Sequence, residues 1–268
     1  MNSAVITFII PVRHPENARS WQILKSNLQQ TVKSIAGQTN AAWRGVVVAN
    51  SGADIPPLPD QFEIVRVDFP PNPHHDLRSD NKEEVYDAFR LDKGRRVLQG
   101  ILKSERTPFY MIVDDDDFVS NKIAQFVTEN QHANGWKIDR GYVWTDGGAW
   151  LYNLENFDRK CGTSLIVNSK LYELPERFDD ASEAYIKEVF GSHIMIAPLL
   201  EKRNTPLAKL PFPGAIYRVG HVGAHSKSEN LMRTFIASKY NWKRPWRFVT
   251  NFKNFRRLKG KILFEFFG

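Results

Sequence analysis

Short apolar runs recur along the first half of the chain, at the intervals expected of buried strands. Residues 5–12, 45–50 and 109–113 are continuous apolar runs, and residues 62–69 alternate between apolar and polar side chains. Continuous short runs are typical of fully buried strands, and alternation is typical of half-buried ones. We therefore predict four strands in the first half.

The segments between these strands carry apolar residues every three or four positions, which is the spacing of one helix face. The first such face consists of Trp21, Leu24, Leu28, Val32 and Ile35. Further helices are predicted at about residues 83–104 and 122–132. Helices that alternate with apolar strands predict an α/β fold with a mostly parallel central sheet flanked by helices.

The second half has a less regular pattern. Residues 141–146 and 163–167 resemble strands, residues 182–190 have helical spacing, and residues 220–226 form a loop rich in Gly and His. No internal repeat is visible. We expect this half to complete the fold begun by the first.

Composition excludes several classes of protein. Of the 268 residues, 42% are hydrophobic and 25% are charged, which excludes a disordered or low-complexity chain. The one cysteine, Cys161, excludes an internal disulfide framework and a cysteine-rich zinc site. Apolar runs long enough to span a bilayer are missing, and the first residues do not resemble a signal peptide. These features lead us to expect a cytoplasmic location.

The net charge of +7 is unevenly distributed. Residues 239–268 hold nine Lys and Arg and one acid, Glu265, so this segment carries +8 and the rest of the chain carries −1. The same segment is rich in aromatic residues. Trp246–Phe255 has helical spacing, so we expect a basic, aromatic, helical C-terminal tail over residues 236–268.

Cations mixed with aromatic residues have three interpretations. They are typical of a segment that touches an anionic membrane surface, which we favour, and this would place the protein peripherally on the inner face of the cell membrane. The second interpretation is a helix that packs on the body or in a dimer interface. The third is binding of single-stranded nucleic acid.

Four consecutive aspartates, Asp114 to Asp117, follow the predicted strand at residues 109–113. Ligands of open α/β sheets bind at the carboxyl ends of strands, and clustered carboxylates are typical ligands of Mg²⁺ or Mn²⁺, which also bind phosphate oxygens. We favour a metal–diphosphate site. The alternative is an acidic turn at the start of the next helix.

Four segments together resemble a known family. Residues 8–12 (Phe-Ile-Ile-Pro-Val), 46–52, 92–96 and 110–117 are similar to the motifs of GT-A glycosyltransferases, closest to glycosyltransferase family 2, over about residues 5–230. The resemblance implies a Rossmann-like GT-A domain over residues 1–235. Its nucleotide-sugar-binding half would be 1–118 and its acceptor half 119–235.

The resemblance also implies a set of donor-binding residues. The aspartates match the DxD motif that holds a Mn²⁺ or Mg²⁺ ion on the diphosphate, with Asp116 as principal ligand and Asp114 near the ribose or the metal. Asn50 and Ser51 stand where the family has an aspartate that contacts the base, and Arg13 stands where a small hydroxyl residue is common. The residues assigned to the nucleotide-sugar are Pro11, Val12, Arg13, Asn50, Ser51, Arg96, Asp114, Asp115 and Asp146.

Late histidines are the remaining metal candidates. Many GT-A enzymes have a C-terminal histidine that completes the metal shell, and His225, followed by His221, occupies that part of this sequence. Gly220 and Gly223 would let the loop approach a ligand closely.

Transfer with inversion requires a general base that deprotonates the acceptor hydroxyl. Family 2 places this carboxylate in a short acidic motif that opens a helix after the DxD. Here Asp180 is the first choice, with Asp179 and Glu183 as alternatives. The same residues also fit a helix-capping motif, and both roles can hold together. Retention of configuration remains open, because retaining enzymes share the fold and the aspartate motif.

The expected activity is therefore that of a metal-dependent glycosyltransferase of the hexosyltransferase type. It would move a sugar from a nucleotide-sugar, with UDP favoured, to a glycan or lipid-linked acceptor of polysaccharide biosynthesis. A sugar nucleotidyltransferase is a second possibility, but residues 11–15 lack its Gly-rich loop. A non-catalytic sugar- or nucleic-acid-binding protein is the third.

Overall fold

The structure is a computed structural model that describes residues 3–74, 82–221 and 253–268. Within these ranges the chain forms twelve strands in two sheets and six α-helices. Across the same ranges, no helix is both long and apolar enough to cross a bilayer.

Twelve strands form the two sheets. The seven strands of the first sheet are β1 (Ile6–Pro11), β2 (Trp43–Asn50), β3 (Phe62–Val67), β4 (Phe109–Ile112), β6 (Gly135–Lys137), β9 (Leu165–Asn168) and β10 (Ala208–Lys209). The five strands of the second sheet are β5 (Phe118–Val119), β7 (Arg140–Thr145), β8 (Trp150–Glu155), β11 (Ala215–Val219) and β12 (Phe255–Arg257).

The first sheet is mostly parallel, as the sequence predicts. Its order is β10-β6-β9-β4-β1-β2-β3, and β9 alone runs antiparallel to its neighbours within the described sheet. The second sheet has the order β12-β8-β7-β11-β5. The two central strands β1 and β4 therefore end at the same edge, where Asp114 follows β4.

Helices cover both faces of the first sheet. The helices are α1 (Trp21–Ala36), α2 (Lys82–Lys103), α3 (Ile123–Glu129), α4 (Glu183–Val189), α5 (His193–Lys202) and α6 (Lys261–Phe267). Phe8 and Ile10 of β1 face the cluster that contains the apolar side of α1, whereas Ile9 packs with Val97 of α2. Burial on both faces explains why β1 is a continuous apolar run.

Some elements differ from the sequence-based expectation. The helix predicted at 122–132 is shorter, and β5, β6, β8, β10, β11 and α5 were not predicted. β5 and β10 have two residues each, too few to show a period. β11 carries Arg218 as the fourth of its five residues, which hides the strand pattern.

The C-terminal segment packs on the body where the structure describes it. Phe255 lies in strand β12, which pairs with β8, so this residue is not helical as the spacing predicted. Residues 246–252 of that predicted helix lie outside the described residues. Glu265 of α6 accepts hydrogen bonds from Ser120 Oγ and Lys122 Nζ, both at 2.6 Å. Residues 253–268 therefore pack on the body, as the second interpretation of the tail predicted.

Replacing Phe266 by alanine tests this packing. Phe266 is 1% exposed and lies in a cluster with Phe118 and Trp144, so we expect Phe266→Ala to lower the free energy of unfolding by about 3 kcal/mol. Phe264, two residues earlier, is 70% exposed. Phe264→Ala should therefore change the free energy of unfolding by less than about 0.5 kcal/mol. Urea unfolding of both variants gives the comparison; equal losses would contradict the packing.

Candidate active site

A cavity of about 550 Å³ opens at the carboxyl ends of β1 and β4. Its lining combines carboxylates with cations from several elements, among them Arg13, Lys93, Asp114, Asp115, Asp116 and His193. This edge of the sheet is where open α/β folds bind ligands. The aspartates therefore lie where the sequence predicted a site.

Lys93 of α2 neutralises the first aspartate. Its ammonium forms an ion pair with Asp114 Oδ1. Burial alone would raise the pKa of Asp114, but the charge and hydrogen bond of Lys93, together with smaller effects of His193 and Arg13, outweigh burial and lower this pKa below its ordinary value. A side chain on Gly162 would place its Cβ 2.8 Å from Lys93 Nζ and closer still to Asp114. This pair thus depends on a glycine at position 162.

His221 binds the third aspartate. Its Nε2 lies 2.8 Å from Asp116 Oδ2, and its Nδ1 lies 3.2 Å from the Asn27 amide of α1. An amide can donate to or accept from Nδ1, so Asn27 supports either a hydrogen bond or a metal at Nε2. The structure thus brings together two of the residues to which the resemblance assigns the metal, and their role as ligands stays a prediction. His225 lies outside the described residues.

Asp115 is a buried carboxylate with one weak ion pair. Its Oδ1 lies 3.6 Å from Arg13 Nη2, and its Oδ2 has no hydrogen-bond partner among the described residues. Burial raises the pKa of Asp115 to about 6, against the opposing effect of Arg13. A buried oxygen without a partner is costly, so a bound cation would stabilise this loop.

Asp117 differs from its neighbours because it is fully buried and does not line the cavity. Its carboxylate accepts hydrogen bonds from Cys161 Sγ and from the backbone N–H of Arg218, both at 3.1 Å. Burial, with the charges of Asp116 and Asp114, raises its pKa well above the ordinary value. Asp117 therefore ties β11 and residue 161 to the aspartate loop. Cys161 is buried, as expected of a lone structural cysteine.

Asn50 and Arg96 are bound to each other. Arg96 Nη1 donates to Asn50 Oδ1 at 2.7 Å, and Asn50 Nδ2 donates to the Phe69 carbonyl at 2.7 Å. Arg96 also donates to Asp92 on the same helix. Arg96 lines the cavity, but the polar atoms of Asn50 already have partners. Their assignment to the nucleotide stays a prediction.

The other residues predicted to bind the nucleotide-sugar differ in whether they line the cavity. Pro11 and Arg13 line the cavity, whereas Val12 is fully buried and Ser51 is exposed in the turn after β2. Asp146 Oδ1 accepts two hydrogen bonds from Arg218, at 2.7 and 3.1 Å. Arg218, which the sequence did not suggest, lines the cavity. A charged residue within the otherwise largely apolar residues 215–219 was the signal that could have revealed Arg218.

The structure does not bring the predicted base residues to the cavity. Asp180 accepts a hydrogen bond from the Arg177 backbone at 3.2 Å, and neither it nor Asp179 nor Glu183 belongs to the lining. Glu183 opens α4, a helix of seven residues that is about 10 Å long. The lining begins again beyond the other end of this helix, at residues 191–194.

His193 is the titratable side chain that this segment places at the cavity. It opens α5, and its Nε2 is buried without a hydrogen-bond partner among the described residues. Burial, followed by the nearby Lys93 charge, lowers the pKa of His193 to about 4. The imidazole is therefore neutral at neutral pH.

This shift predicts a specific pH dependence of stability. An unfolded histidine takes up its proton near pH 6.5, whereas folded His193 does so near 4. The contribution of His193 to the free energy of unfolding is therefore fully present above about pH 6.5 and is lost as the pH falls toward 4. Between about pH 7 and pH 4.5, wild type should lose about 2 kcal/mol more free energy of unfolding than His193→Gln. Urea titrations at the two pH values test this, and parallel losses would contradict it.

The residues at the cavity fit a divalent metal that shares its shell with a ligand. Over the described ranges there is no group of three or more His, Cys, Asp or Glu placed to hold a metal. Mg²⁺ commonly takes only one or two carboxylates and completes its shell with phosphates and water. Asp116 supplies one such carboxylate, His221 adds an imidazole nitrogen, and the unpartnered Asp115 oxygen lies in the same loop. Asp114 would need to release Lys93 before it could bind a metal.

Solved structures similar to this chain were found, but no similar family model or curated sequence was. Residues 1–349 of S. aureus TarS are 12% identical, with a TM-score of 0.45 over 80% of this chain and 60% of that one. The same fragment in complex with UDP is 12% identical, with a TM-score of 0.43 over 81% of this chain and 61% of that one. Rv0371C of Mycobacterium tuberculosis H37Rv, in complex with manganese, is 9% identical, with a TM-score of 0.36 over 80% of this chain and 91% of that one. The chain thus spans about three fifths of the TarS fragment.

Proposed function

We propose that this chain is a metal-dependent glycosyltransferase that uses a nucleotide-sugar, with UDP as the nucleotide, and a glycan or lipid-linked acceptor. The observation that supports it most is the Asp116–His221 pair, 2.8 Å apart at the carboxyl edge of a parallel sheet. The pair adjoins a cavity of about 550 Å³ with cations in its lining, which is within the usual size range of ligand sites.

The proposed role of each residue at the cavity follows from the charge of its side chain. Asp116 and His221 hold the Mn²⁺ or Mg²⁺ ion, which when bound offsets the negative charge of the leaving diphosphate. Arg13 and Lys93 lie at the same cavity and can donate hydrogen bonds to phosphate oxygens. Their present partners, Asp115 and Asp114, keep these cations in place before the donor binds.

The general base has two candidates. Asp180 is the choice from sequence and His193 is the choice from position at the cavity. Loss of a general base lowers turnover by about 100-fold or more. We expect His193→Gln to slow donor hydrolysis to this extent without changing donor affinity, and Asp180→Asn to change the rate less than threefold. The reverse pattern would assign the base to Asp180.

A thermal-shift panel tests the proposed donor. Nucleotide-sugars with different bases and sugars are added with Mn²⁺ or with EDTA. We expect stabilisation by at least one UDP-sugar only when Mn²⁺ is present, because the metal joins Asp116 to the diphosphate. If no nucleotide-sugar gives a metal-dependent shift, the proposal is wrong.

A further inference from the structure

Two exposed large apolar side chains lie next to each other on α6. Phe264 and Leu263 are 70% and 46% exposed. Trp150 of β8 is also exposed, but it belongs to the opposite face of the second sheet, because its neighbour Leu151 packs in the cluster of Phe266 and successive strand residues alternate between faces. We call Leu263, Phe264 and the exposed cations of residues 253–261 the C-terminal patch. Water contact with this much apolar surface is unfavourable, so the patch is a candidate contact surface.

The same segment carries an excess of cations. Five exposed basic residues lie within the last sixteen positions: Lys253, Arg256, Arg257, Lys259 and Lys261. None of them forms an ion pair with an acid of the described ranges. Glu265 is the one acid of this segment, and it binds Ser120 and Lys122 instead. No acid within the described residues therefore compensates the positive charge of the patch.

The fold holds this surface in a fixed position. Phe266 is buried beside Phe118, β12 is paired with β8, and Lys33 Nζ donates to the Gly268 carbonyl at 3.2 Å. The buried side of α6 is thus fully engaged, whereas Leu263 and Phe264 remain outside. A rigid surface that combines apolar side chains with cations needs little ordering when it binds.

We propose that the C-terminal patch binds the surface of a bilayer that contains anionic lipids. Exposed cations are attracted to an anionic leaflet, at about 1 kcal/mol each, while Phe264 and Leu263 enter the boundary between headgroups and acyl chains. A second copy of the chain fits less well, because a two-fold contact would bring two sets of five cations together. This binding does not depend on the proposed reaction.

Sedimentation of the full chain with vesicles tests the proposal. One set of vesicles is pure phosphatidylcholine and the other is equal parts of phosphatidylcholine and phosphatidylglycerol. We expect binding to the mixed vesicles alone, with a loss of binding at high salt. Lys259→Glu with Lys261→Glu should weaken it by at least about tenfold, and Phe264→Ser by about fivefold.

Matched controls separate the patch from general effects. Ile64→Ser removes an exposed apolar residue of β3, and Lys202→Glu reverses an exposed charge of α5; neither should change vesicle binding by more than twofold. Circular dichroism confirms that each variant is folded. The proposal is overturned if wild type ignores the mixed vesicles, if patch and control variants bind alike, or if Phe264→Ser instead dissociates a dimer in sedimentation.

Discussion

Replacing Asp116 by asparagine is expected to abolish Mn²⁺-dependent binding of a nucleotide-sugar. The amide has the shape of the carboxylate and can still form a hydrogen bond with His221 Nε2, now 2.8 Å from Asp116 Oδ2. It lacks the charge that a hard divalent cation requires. We expect the Kd of UDP in the presence of Mn²⁺ to rise by about 100-fold or more, which corresponds to at least about 2.7 kcal/mol. Isothermal titration calorimetry measures it.

A matched variant makes this result specific. Asp54 pairs with Lys25 on the surface, and its side chain is 69% exposed. Asp54→Asn should leave UDP affinity and metal dependence unchanged. Equal affinity of Asp116→Asn and wild type for UDP in Mn²⁺ would remove Asp116 from the metal site.

Replacing Arg96 by methionine is expected to cause the largest loss of stability among the charged residues at the cavity. Arg96 is 1% exposed and donates to Asn50 and Asp92. Methionine fills much of the volume but leaves Asn50 Oδ1 without its donor, whereas Asp92 keeps two hydrogen bonds from Arg95. A buried acceptor left unsatisfied costs about 1–3 kcal/mol, and more where the lost donor was charged, so we expect about 3 kcal/mol less free energy of unfolding in urea.

Arg90 on the same helix serves as the comparison for Arg96. It pairs with Asp87 at 3.0 Å, and both side chains are partly exposed to solvent. Surface pairs contribute less than about 1 kcal/mol, and Arg90→Met should cost no more than that. Similar losses for the two variants would show that the burial of Arg96 contributes little.

The sequence was sufficient for the elements whose burial produces a simple pattern. β1, β2 and β4 are mostly apolar because helices cover both faces of their sheet. α1 has one apolar side, and its Leu24, Leu28, Val32 and Ile35 are buried as predicted. The elements that were missed, such as β5 and β11, are short or carry a charged residue.

The position of the site was predictable, but most of its internal contacts were not. The aspartate loop follows a buried strand, so the edge of the sheet could be inferred from one local pattern. His221, which pairs with Asp116, was suggested only through the family resemblance. Lys93 pairs with Asp114 from α2, a separate element of the chain. Sequence spacing carries no information on such a contact, and His193 was missed for the same reason.

Titration of Mn²⁺ in the presence and absence of UDP tests the central claim most directly. Free Mn²⁺, followed by its electron paramagnetic resonance signal, reports how much metal the protein binds. Because Asp116 and His221 supply only two donors, we predict weak binding of Mn²⁺ alone and tight binding of one ion per chain when UDP is added. If UDP leaves Mn²⁺ binding unchanged, or binds equally well in EDTA, the site does not hold a metal–diphosphate complex.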